Sequence, residues 1–172
     1  KAYLKVIDLS KEKLKDLQKT FGNNNIEYIE STELSIEEAL KVSDLVIGSV
    51  YVLGKQAPKV VTNNMLRKMK QGAVIVDISI DQGGCFESSI PTTHDNPTYV
   101  KDGVIHYCVT NMPGAVPLTA TEALNKATLP YILELANKGV DLALKENIHL
   151  ANGLNIKNGK VVHSSVREAL SL

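Results

Sequence analysis

The stretch GAVIVDISIDQGGCFE at residues 72–87 decides the fold that this sequence predicts. Residues 73–78 are typical of a buried strand, and small or polar residues follow beyond its carboxyl end: Asp81, Gln82, Gly83 and Gly84. The stretch HYCVTNMPGAVPLTAT at residues 106–121 has the same organisation. In an open parallel sheet, ligands bind in the crevice outside the carboxyl ends of the strands. We therefore expect the two strand ends to form one wall of a nucleotide site, with Asp81 facing the reacting centre.

The composition is typical of a soluble globular protein. The chain has 172 residues, of which 44% are hydrophobic and 22% are charged. Nineteen basic and 19 acidic residues cancel, so net charge gives no argument for binding nucleic acid or an anionic membrane. No apolar run approaches the ~20 residues of a membrane-spanning helix. We therefore expect neither a nucleic-acid partner nor a membrane partner.

The first residues of the sequence and its two cysteines give expectations about the extent of the chain and its redox compartment. The chain opens with KAYLKVID, a strand pattern without an initiator Met or a signal peptide, and we expect it to be the remainder of a longer protein. Cys85 and Cys108 make no disulfide framework and lack metal-binding spacing with a histidine pair. The expectation is a reducing, cytoplasmic setting and no metal site.

Strands and helices alternate through the first half of the chain. The expected strands are residues 2–8, 26–29, 44–50 and 73–78, and the expected helices are residues 10–21, 35–40 and 62–69. Ser10 and Gly22 are suited to cap the first helix, and Ser35–Glu38 has the spacing of a capping box. The apolar run at 44–50 predicts a strand covered on both faces. This alternation predicts part of a doubly wound parallel, Rossmann-type sheet in an α/β protein.

The pattern changes after residue 87. A long loop leads to a strand at residues 103–109, and the capping-box pair Thr119–Glu122 opens a long helix to about residue 138. Pro130 predicts a kink in that helix. The sequence then predicts a second helix at residues 140–146, a hairpin turn at Asn158-Gly159 and a last helix at residues 165–170. Tyr131 and Leu135 are candidates for the core. We place a domain boundary after residue 116, with a nucleotide-binding domain at 1–116 and a helical C-terminal segment at 117–172.

Asp8 is a candidate cofactor ligand, because it ends the first strand. In dinucleotide-binding folds an acid at this place accepts hydrogen bonds from the adenosine ribose hydroxyls, which favours NAD over NADP. The alternative is a turn-forming aspartate of no further role. The glycine fingerprint expected about 20 residues upstream of such an acid does not occur in the sequence.

Asp81 is the second candidate, and two interpretations are open for it. A carboxylate beside two glycines is commonly a solvated turn residue, yet here it follows an apolar strand, and the glycines would let a ligand approach the backbone. The four histidines have no triad or metal spacing, so structural or exposed roles are favoured: His94, His106, His149 and His163. Cys85 is interpreted as a small buried side chain.

A resemblance extends these inferences. The runs DQGGC at 81–85, PTTHD at 91–95 and NMPGAVP at 111–117 closely resemble the signature region of the alanine dehydrogenases. The similarity covers nearly the whole chain, including SDLVIGSV at 43–50 and APK at 57–59. Transhydrogenase nucleotide-binding subunits share the fold, but their corresponding loop differs from DQGGCFE.

The resemblance implies roles for particular residues. Asp8 would bind the adenosine ribose, with Lys13 and Ser31 beside the adenosine. The remaining cofactor contacts implied by the resemblance are Val50, Tyr51, Ile78, Ser79, Ile80, Asp81, Val109, Thr110, Asn111 and Met112. Asp81 matches the family's catalytic aspartate, which works with a histidine on the proton transfers and on the water that attacks the imine. Where family members carry an Arg that contacts the cofactor, this chain has Ile90, which places that contact in doubt.

The activity implied is the reversible oxidative deamination of L-alanine by NAD to pyruvate and ammonium. The family's substrate-binding Arg and Lys and its catalytic His lie in an N-terminal region without a counterpart here, and the family assembly implied is a homohexamer. Two alternatives stay open: a non-catalytic fragment or nucleotide-binding remnant, and a transhydrogenase-type nucleotide-binding subunit.

Overall fold

In the computed structural model, which describes residues 2–171, strands and helices alternate through the first part of the chain. The strands are β1 (Leu4–Asp8), β2 (Ile26–Glu30), β3 (Leu45–Gly48), β4 (Val74–Asp77), β5 (Thr98–Lys101) and β6 (Val104–Tyr107). The helices between them are α1 (Lys11–Phe21), α2 (Glu33–Val42) and α3 (Asn63–Leu66). The mixed α/β class predicted from the sequence is confirmed.

Two sheets carry these strands. β1 pairs with β2 in parallel, and a second sheet has the order β3-β4-β6-β5. Within that sheet β3 pairs with β4, and β4 pairs with β6, both in parallel. β5 is antiparallel to β6. The sheet is therefore mostly parallel, and the ends of β3, β4 and β6 meet at one edge.

The caps of the first two helices follow local hydrogen bonding. The Ser10 side chain accepts from the Lys13 amide, and Gly22 ends α1, as predicted. The predicted capping box of α2 is wrong by one turn. Thr32 is the N-cap, and its hydroxyl and the Ser35 hydroxyl exchange hydrogen bonds with each other's amides. Ser35 thus serves as the reciprocal partner of a cap rather than as the cap.

A hairpin that was not predicted from the sequence joins β5 and β6. Asp102 and Gly103 form its turn, with φ values of +51° and +77°. Positive φ at both central positions of a two-residue loop is the geometry that favours Asp-Gly. The signal was therefore present in the sequence, at the junction between the predicted long loop and the predicted strand at residues 103–109.

The core lies between the second sheet and the segments that cover it. Its most buried members are Leu66, Ile75, Cys85, Phe86 and Val104, each at most 1% exposed. β3 departs from prediction, because Leu45 and Ile47 are 55% and 58% exposed. β3 is thus covered on one face among the described residues. Tyr131, a predicted core residue, is 40% exposed.

A second compact unit contains residues 51–56 and 111–172, and the first contains residues 1–50 and 57–110. The elements of the second unit are α4 (Pro117–Lys138), α5 (Val140–Glu146), α6 (Ile148–Asn152), β7 (Ile156–Lys157), β8 (Lys160–Val161) and α7 (Ser164–Ala169). The predicted helical C-terminal segment and the hairpin turn at Asn158-Gly159 are confirmed. The domain boundary after residue 116 stays a prediction.

α4 begins two residues before the predicted capping-box position. Pro117 is its first residue, and Val116 provides no side-chain cap. Proline is favoured at the first helical position because its φ is already helical and it has no amide hydrogen to satisfy. The helix is continuous through Pro130. Among the described residues, no helix is both long and apolar enough to cross a membrane.

Gly48, the last residue of β3, is expected to tolerate no side chain. A Cβ placed there would collide with the Cys85 sulfur and the Phe86 ring. Because that part of the core is fully packed, Gly48→Ala is expected to lower the free energy of unfolding by about 1–3 kcal/mol. Urea unfolding followed by circular dichroism measures the change.

Gly153→Ala is the matched control. A Cβ at Gly153 would meet its neighbours at ordinary distances of 3.5 and 3.6 Å, and the residue has an ordinary φ of −83°. Its unfolding midpoint should stay near that of the parent protein. An unchanged midpoint for Gly48→Ala would contradict the packing described for the end of β3.

Candidate active site

The candidate site is built at the carboxyl edge of the mostly parallel sheet. Because β3, β4 and β6 run in parallel, the residues that follow them leave the sheet at the same edge. Val50 follows β3, residues 78–81 follow β4, and Val109 and Thr110 follow β6. The structure thus brings together at one edge the cofactor residues predicted from three separate segments of the first unit.

Asp81 lies in a 3₁₀ turn, Ile78–Gln82, directly after β4. Its side chain is exposed, whereas Ser79 and Ile80 in the same turn are 3% exposed. The predicted strand at residues 73–78 therefore ends one residue early, at Asp77, and Ile78 starts the turn. The result is an exposed carboxylate on a short, tightly wound turn at the carboxyl edge of the sheet.

A buried carboxylate lies beneath this turn. Asp77 is fully buried. The Asp77 cluster consists of this residue and the four residues that donate to it, namely Ser79, Cys85, Phe86 and Ser89. The shortest of these hydrogen bonds, 2.6 Å, comes from the Ser89 hydroxyl. Buried polar groups need partners, and here the turn and the loop after it provide them.

The glycines of the turn have a different role from the one expected. Gly84 has a φ of +76°, and a Cβ there would stand 2.7 Å from the Asp77 carboxylate and 2.9 Å from Ser89 Cβ. The close approach that Gly84 permits is therefore to a carboxylate of the same chain. The expectation that this glycine makes room for a ligand is wrong, because the space is occupied.

Ser79 joins the ends of β3 and β4. Its hydroxyl accepts a hydrogen bond from the Val50 amide at 2.7 Å and donates one to the Val50 carbonyl at 2.9 Å. Both residues are predicted cofactor contacts. Since the Ser79 hydroxyl is buried and used in this pairing, a contact from Ser79 to a ligand would be made by its backbone.

The segment at residues 57–61 holds the same loop from the other side. The Ala57 amide donates to the Gln82 carbonyl at 2.9 Å, and the Val60 amide donates to the Cys85 carbonyl at 2.8 Å. The Lys59 ammonium donates to the carbonyls of Gly83 and Gly84 at 2.5 and 2.8 Å. The loop after Asp81 is thus fixed by backbone bonds and one lysine.

The predicted adenosine residues meet at the end of the β1–β2 pair. Asp8 ends β1, and its carbonyl accepts from the Ser31 amide at 3.0 Å. One oxygen of the Asp8 carboxylate accepts from the Ser10 amide at 2.7 Å. Lys13 is exposed in the first turn of α1, where its amide donates to the Ser10 hydroxyl. The Asp8 carboxylate therefore accepts a hydrogen bond within the turn that joins β1 to α1.

His106 is a structural histidine, as expected. Its ring is fully buried in β6 and stacks on Tyr99 with 4.7 Å between ring centroids. Burial lowers the pKa of His106, so the ring is neutral near pH 7. With Nδ1–H donating to the Val104 carbonyl at 2.9 Å, Nε2 accepts from the Ser88 hydroxyl at 2.8 Å.

The predicted contacts Tyr51, Asn111 and Met112 belong to the second compact unit. Tyr51 is 66% exposed. Asn111 adopts the left-handed conformation with a φ of +54°, and Met112 opens a 3₁₀ turn, Met112–Ala115. Ile90 is 57% exposed. No group of three metal-binding side chains occurs among residues 2–171.

The chain matches the family model described as the alanine dehydrogenase/PNT C-terminal domain over residues 1–164. It is 50% identical over 171 residues to an alanine dehydrogenase of Halomonas elongata, covering 99% of this chain and 46% of that protein. It is 51% identical over 168 residues to alanine dehydrogenase 2 of Staphylococcus aureus, covering 97% of this chain and 45% of that protein. The chain spans about half the length of these curated relatives.

Solved structures give the same relationship. The chain superposes on an L-alanine dehydrogenase with a TM-score of 0.84 at 45% identity, covering 99% of this chain and 46% of that one. A transhydrogenase from Sinorhizobium meliloti superposes with a TM-score of 0.67 at 22% identity, covering 95% of this chain and 43% of that one. The second similarity supports the fold alone.

The two cysteines are expected to be unreactive in the folded protein. Both are fully buried and unpaired, and burial, with the neighbouring Asp77 carboxylate, raises the pKa of the Cys85 thiol to about 12. At pH 8 only about one Cys85 in 10,000 would be a thiolate, the reactive form. Labelling with an aromatic disulfide reagent should therefore be slow in native buffer and fast in guanidinium chloride. Labelling of native protein at the rate of free glutathione would contradict this.

Proposed function

Because this chain belongs to the alanine dehydrogenase/PNT C-terminal domain family, we propose that it forms part of an NAD-dependent alanine dehydrogenase. The reaction is the reversible oxidative deamination of L-alanine to pyruvate and ammonium. The observation that carries the proposal is the DQGGC turn after β4, which presents the exposed Asp81 side chain at the carboxyl edge of the sheet. The substrate clamp and the partner histidine would come from residues outside this chain.

The residues present fit NAD. The Asp8 carboxylate ends a parallel strand, where it can accept hydrogen bonds from the adenosine ribose hydroxyls. Its negative charge opposes a 2′-phosphate, which favours NAD over NADP. Ile78, at the other end of the proposed cleft, is 50% exposed and offers an apolar surface to a nicotinamide ring. When bound, the nicotinamide ring accepts hydride from the substrate Cα.

The residues of this chain would handle protons and position groups. Asp81 would accept a proton from the water that adds to the imine carbon of the substrate, and would return a proton in the reverse reaction. The Ser79–Val50 pairing would keep the ends of β3 and β4 at a fixed separation on either side of the ring. Val109 and Thr110, which follow β6, would line the nicotinamide ribose. Contacts from Asn111 and Met112 to the cofactor stay predictions.

We place the nucleotide-binding domain at residues 1–116 and the return to the catalytic domain at 117–172. The edges of the sheets support a nucleotide-binding domain. β1 pairs only with β2, and β3 pairs only with β4, among the described residues. Leu4, Leu45 and Ile47 at these edges are more than half exposed. One further parallel strand between β1 and β3 would cover these side chains and join the two sheets.

The proposed assembly is a homohexamer in the cytoplasm. The apolar side chains of α4 support an assembly with further protein, since Leu118, Leu124 and Ile132 are 74%, 65% and 55% exposed. L-Alanine and pyruvate are the proposed small-molecule partners.

Asp81→Asn in the natural full-length protein is expected to lower alanine-dependent NADH formation by about 10²–10⁴-fold, because the amide cannot take up the proton. The increase in absorbance at 340 nm measures it. Asp44→Asn is the matched control, because Asp44 precedes β3 at the opposite edge of the sheet and its side chain is 88% exposed. Full activity of Asp81→Asn would show that another group handles the proton.

Asp8→Ala tests the adenosine end separately. Loss of the carboxylate is expected to raise the KM for NAD and to reduce the preference for NAD over NADP, with a smaller effect on kcat. Steady-state kinetics with each cofactor gives both values. An unchanged preference would contradict the ribose assignment and would leave Asp8 as the cap of Ser10 seen at 2.7 Å.

A further inference from the structure

We propose that Asp77 is a positioning residue, whose buried carboxylate fixes the turn that carries Asp81. The inference rests on the proposed function, because it takes Asp81 as the residue that transfers the proton. Asp77 itself is fully buried and has no route to a substrate. Its effect on the reaction would therefore pass through the backbone of the turn.

The donors to Asp77 lie on both sides of Asp81 in the sequence. Before it, the Ser79 amide donates to Oδ1 at 3.0 Å. After it, Oδ2 accepts from the Cys85 amide at 2.9 Å and from the Ser89 hydroxyl at 2.6 Å. Asp77 thus fastens both ends of the segment from which the Asp81 side chain projects. A shift of either end would move the Asp81 carboxylate.

The chemistry of the cluster requires a carboxylate at position 77. Both oxygens accept from hydrogen-bond donors, including weaker contacts from the Cys85 thiol at 3.5 Å and the Phe86 amide at 3.4 Å. An asparagine would turn its NH₂ group towards an N–H or O–H donor in either orientation, because an amide has one acceptor oxygen. Aspartate satisfies all of these donors at once, and the absence of a side chain at Gly84 leaves it the room.

The hydrogen bonds to Asp77 are important for the position of the Asp81 carboxylate. The backbone of the turn sets the position from which the Asp81 side chain starts. Displacement of a reacting group by about 1 Å can lower a rate by about 100-fold. Hydrogen bonds from both sides of the turn to the one buried Asp77 carboxylate therefore keep the Asp81 carboxylate at a fixed distance from the end of β4.

A double-mutant cycle in the natural full-length protein tests the inference. Asp77→Asn is expected to lower kcat for alanine-dependent NADH formation by about 10–100-fold when Asp81 is present. In an Asp81→Asn background the same substitution should lower kcat by less than about threefold, because coupled residues give non-additive effects. Equal losses in the two backgrounds would overturn the inference, since a purely structural defect acts independently of Asp81.

A milder pair of variants keeps the inference testable where Asp77→Asn does not fold. Ser89→Ala removes one donor to Asp77, whereas Ser88→Ala removes a hydroxyl that bonds His106 Nε2 at 2.8 Å and does not donate to Asp77. Ser89→Ala is expected to lower kcat about threefold or more and to speed hydrogen exchange at the Ser79 and Cys85 amides. Ser88→Ala should leave kcat and that exchange near the parent values.

The possible outcomes separate the two proposals. If the parent protein forms no NADH from alanine, the proposed function fails and the inference fails with it. If the parent protein is active but Ser89→Ala and Ser88→Ala lower kcat equally, the inference alone fails. Activity of the parent, a selective loss in Ser89→Ala and non-additive effects of Asp77→Asn would together support a positioning role for Asp77.

Discussion

The hydrogen bonds to the buried Asp77 carboxylate are the interaction on which the candidate site depends. A fully buried carboxylate is costly unless donors satisfy it, and the donors here come from the turn and loop that follow β4. The loop is therefore folded against its own strand, with Gly84 allowing the approach. The segment at residues 57–61 then attaches to the outside of that loop. Asp81 projects from the structure that these contacts hold.

The alternation of strands and helices and several helix ends could be predicted, because they follow from short patterns. Ser10, Gly22, Gly139 and the Asn158-Gly159 turn act through local backbone geometry, which a sequence displays directly. The antiparallel strand β5 was not predicted, although Asp102-Gly103 is a dipeptide typical of the hairpin turn that joins β5 to β6. The exposure of Leu45 and Ile47 could not be predicted from the same evidence. An apolar run indicates that a strand is suited to burial, whereas its neighbours decide whether it is buried.

The candidate site shows the same division. The places of Asp8, Val50 and Asp81 at the carboxyl ends of strands follow from sequence order in a parallel sheet. The hydrogen bonds of Asp77 and Lys59 could not be predicted from sequence order, because they join residues that are distant in sequence or that lie on opposite sides of a turn. An acid at the end of an apolar strand, followed by Gly-Gly and Ser-Ser, was the available signal for Asp77. The prediction placed the functional carboxylate at Asp81 and gave Asp77 no role.

The central claim is that the carboxyl edge of this sheet is the cofactor-facing wall of an alanine dehydrogenase. A crystal structure of the natural full-length protein with NAD bound tests it most directly. We predict that the Asp8 carboxylate lies within hydrogen-bonding distance, about 3 Å, of the adenosine ribose hydroxyls, and that the turn carrying Asp81 flanks the nicotinamide. A cofactor bound at another edge of the sheet, or a nicotinamide distant from Ile78–Gln82, would contradict it.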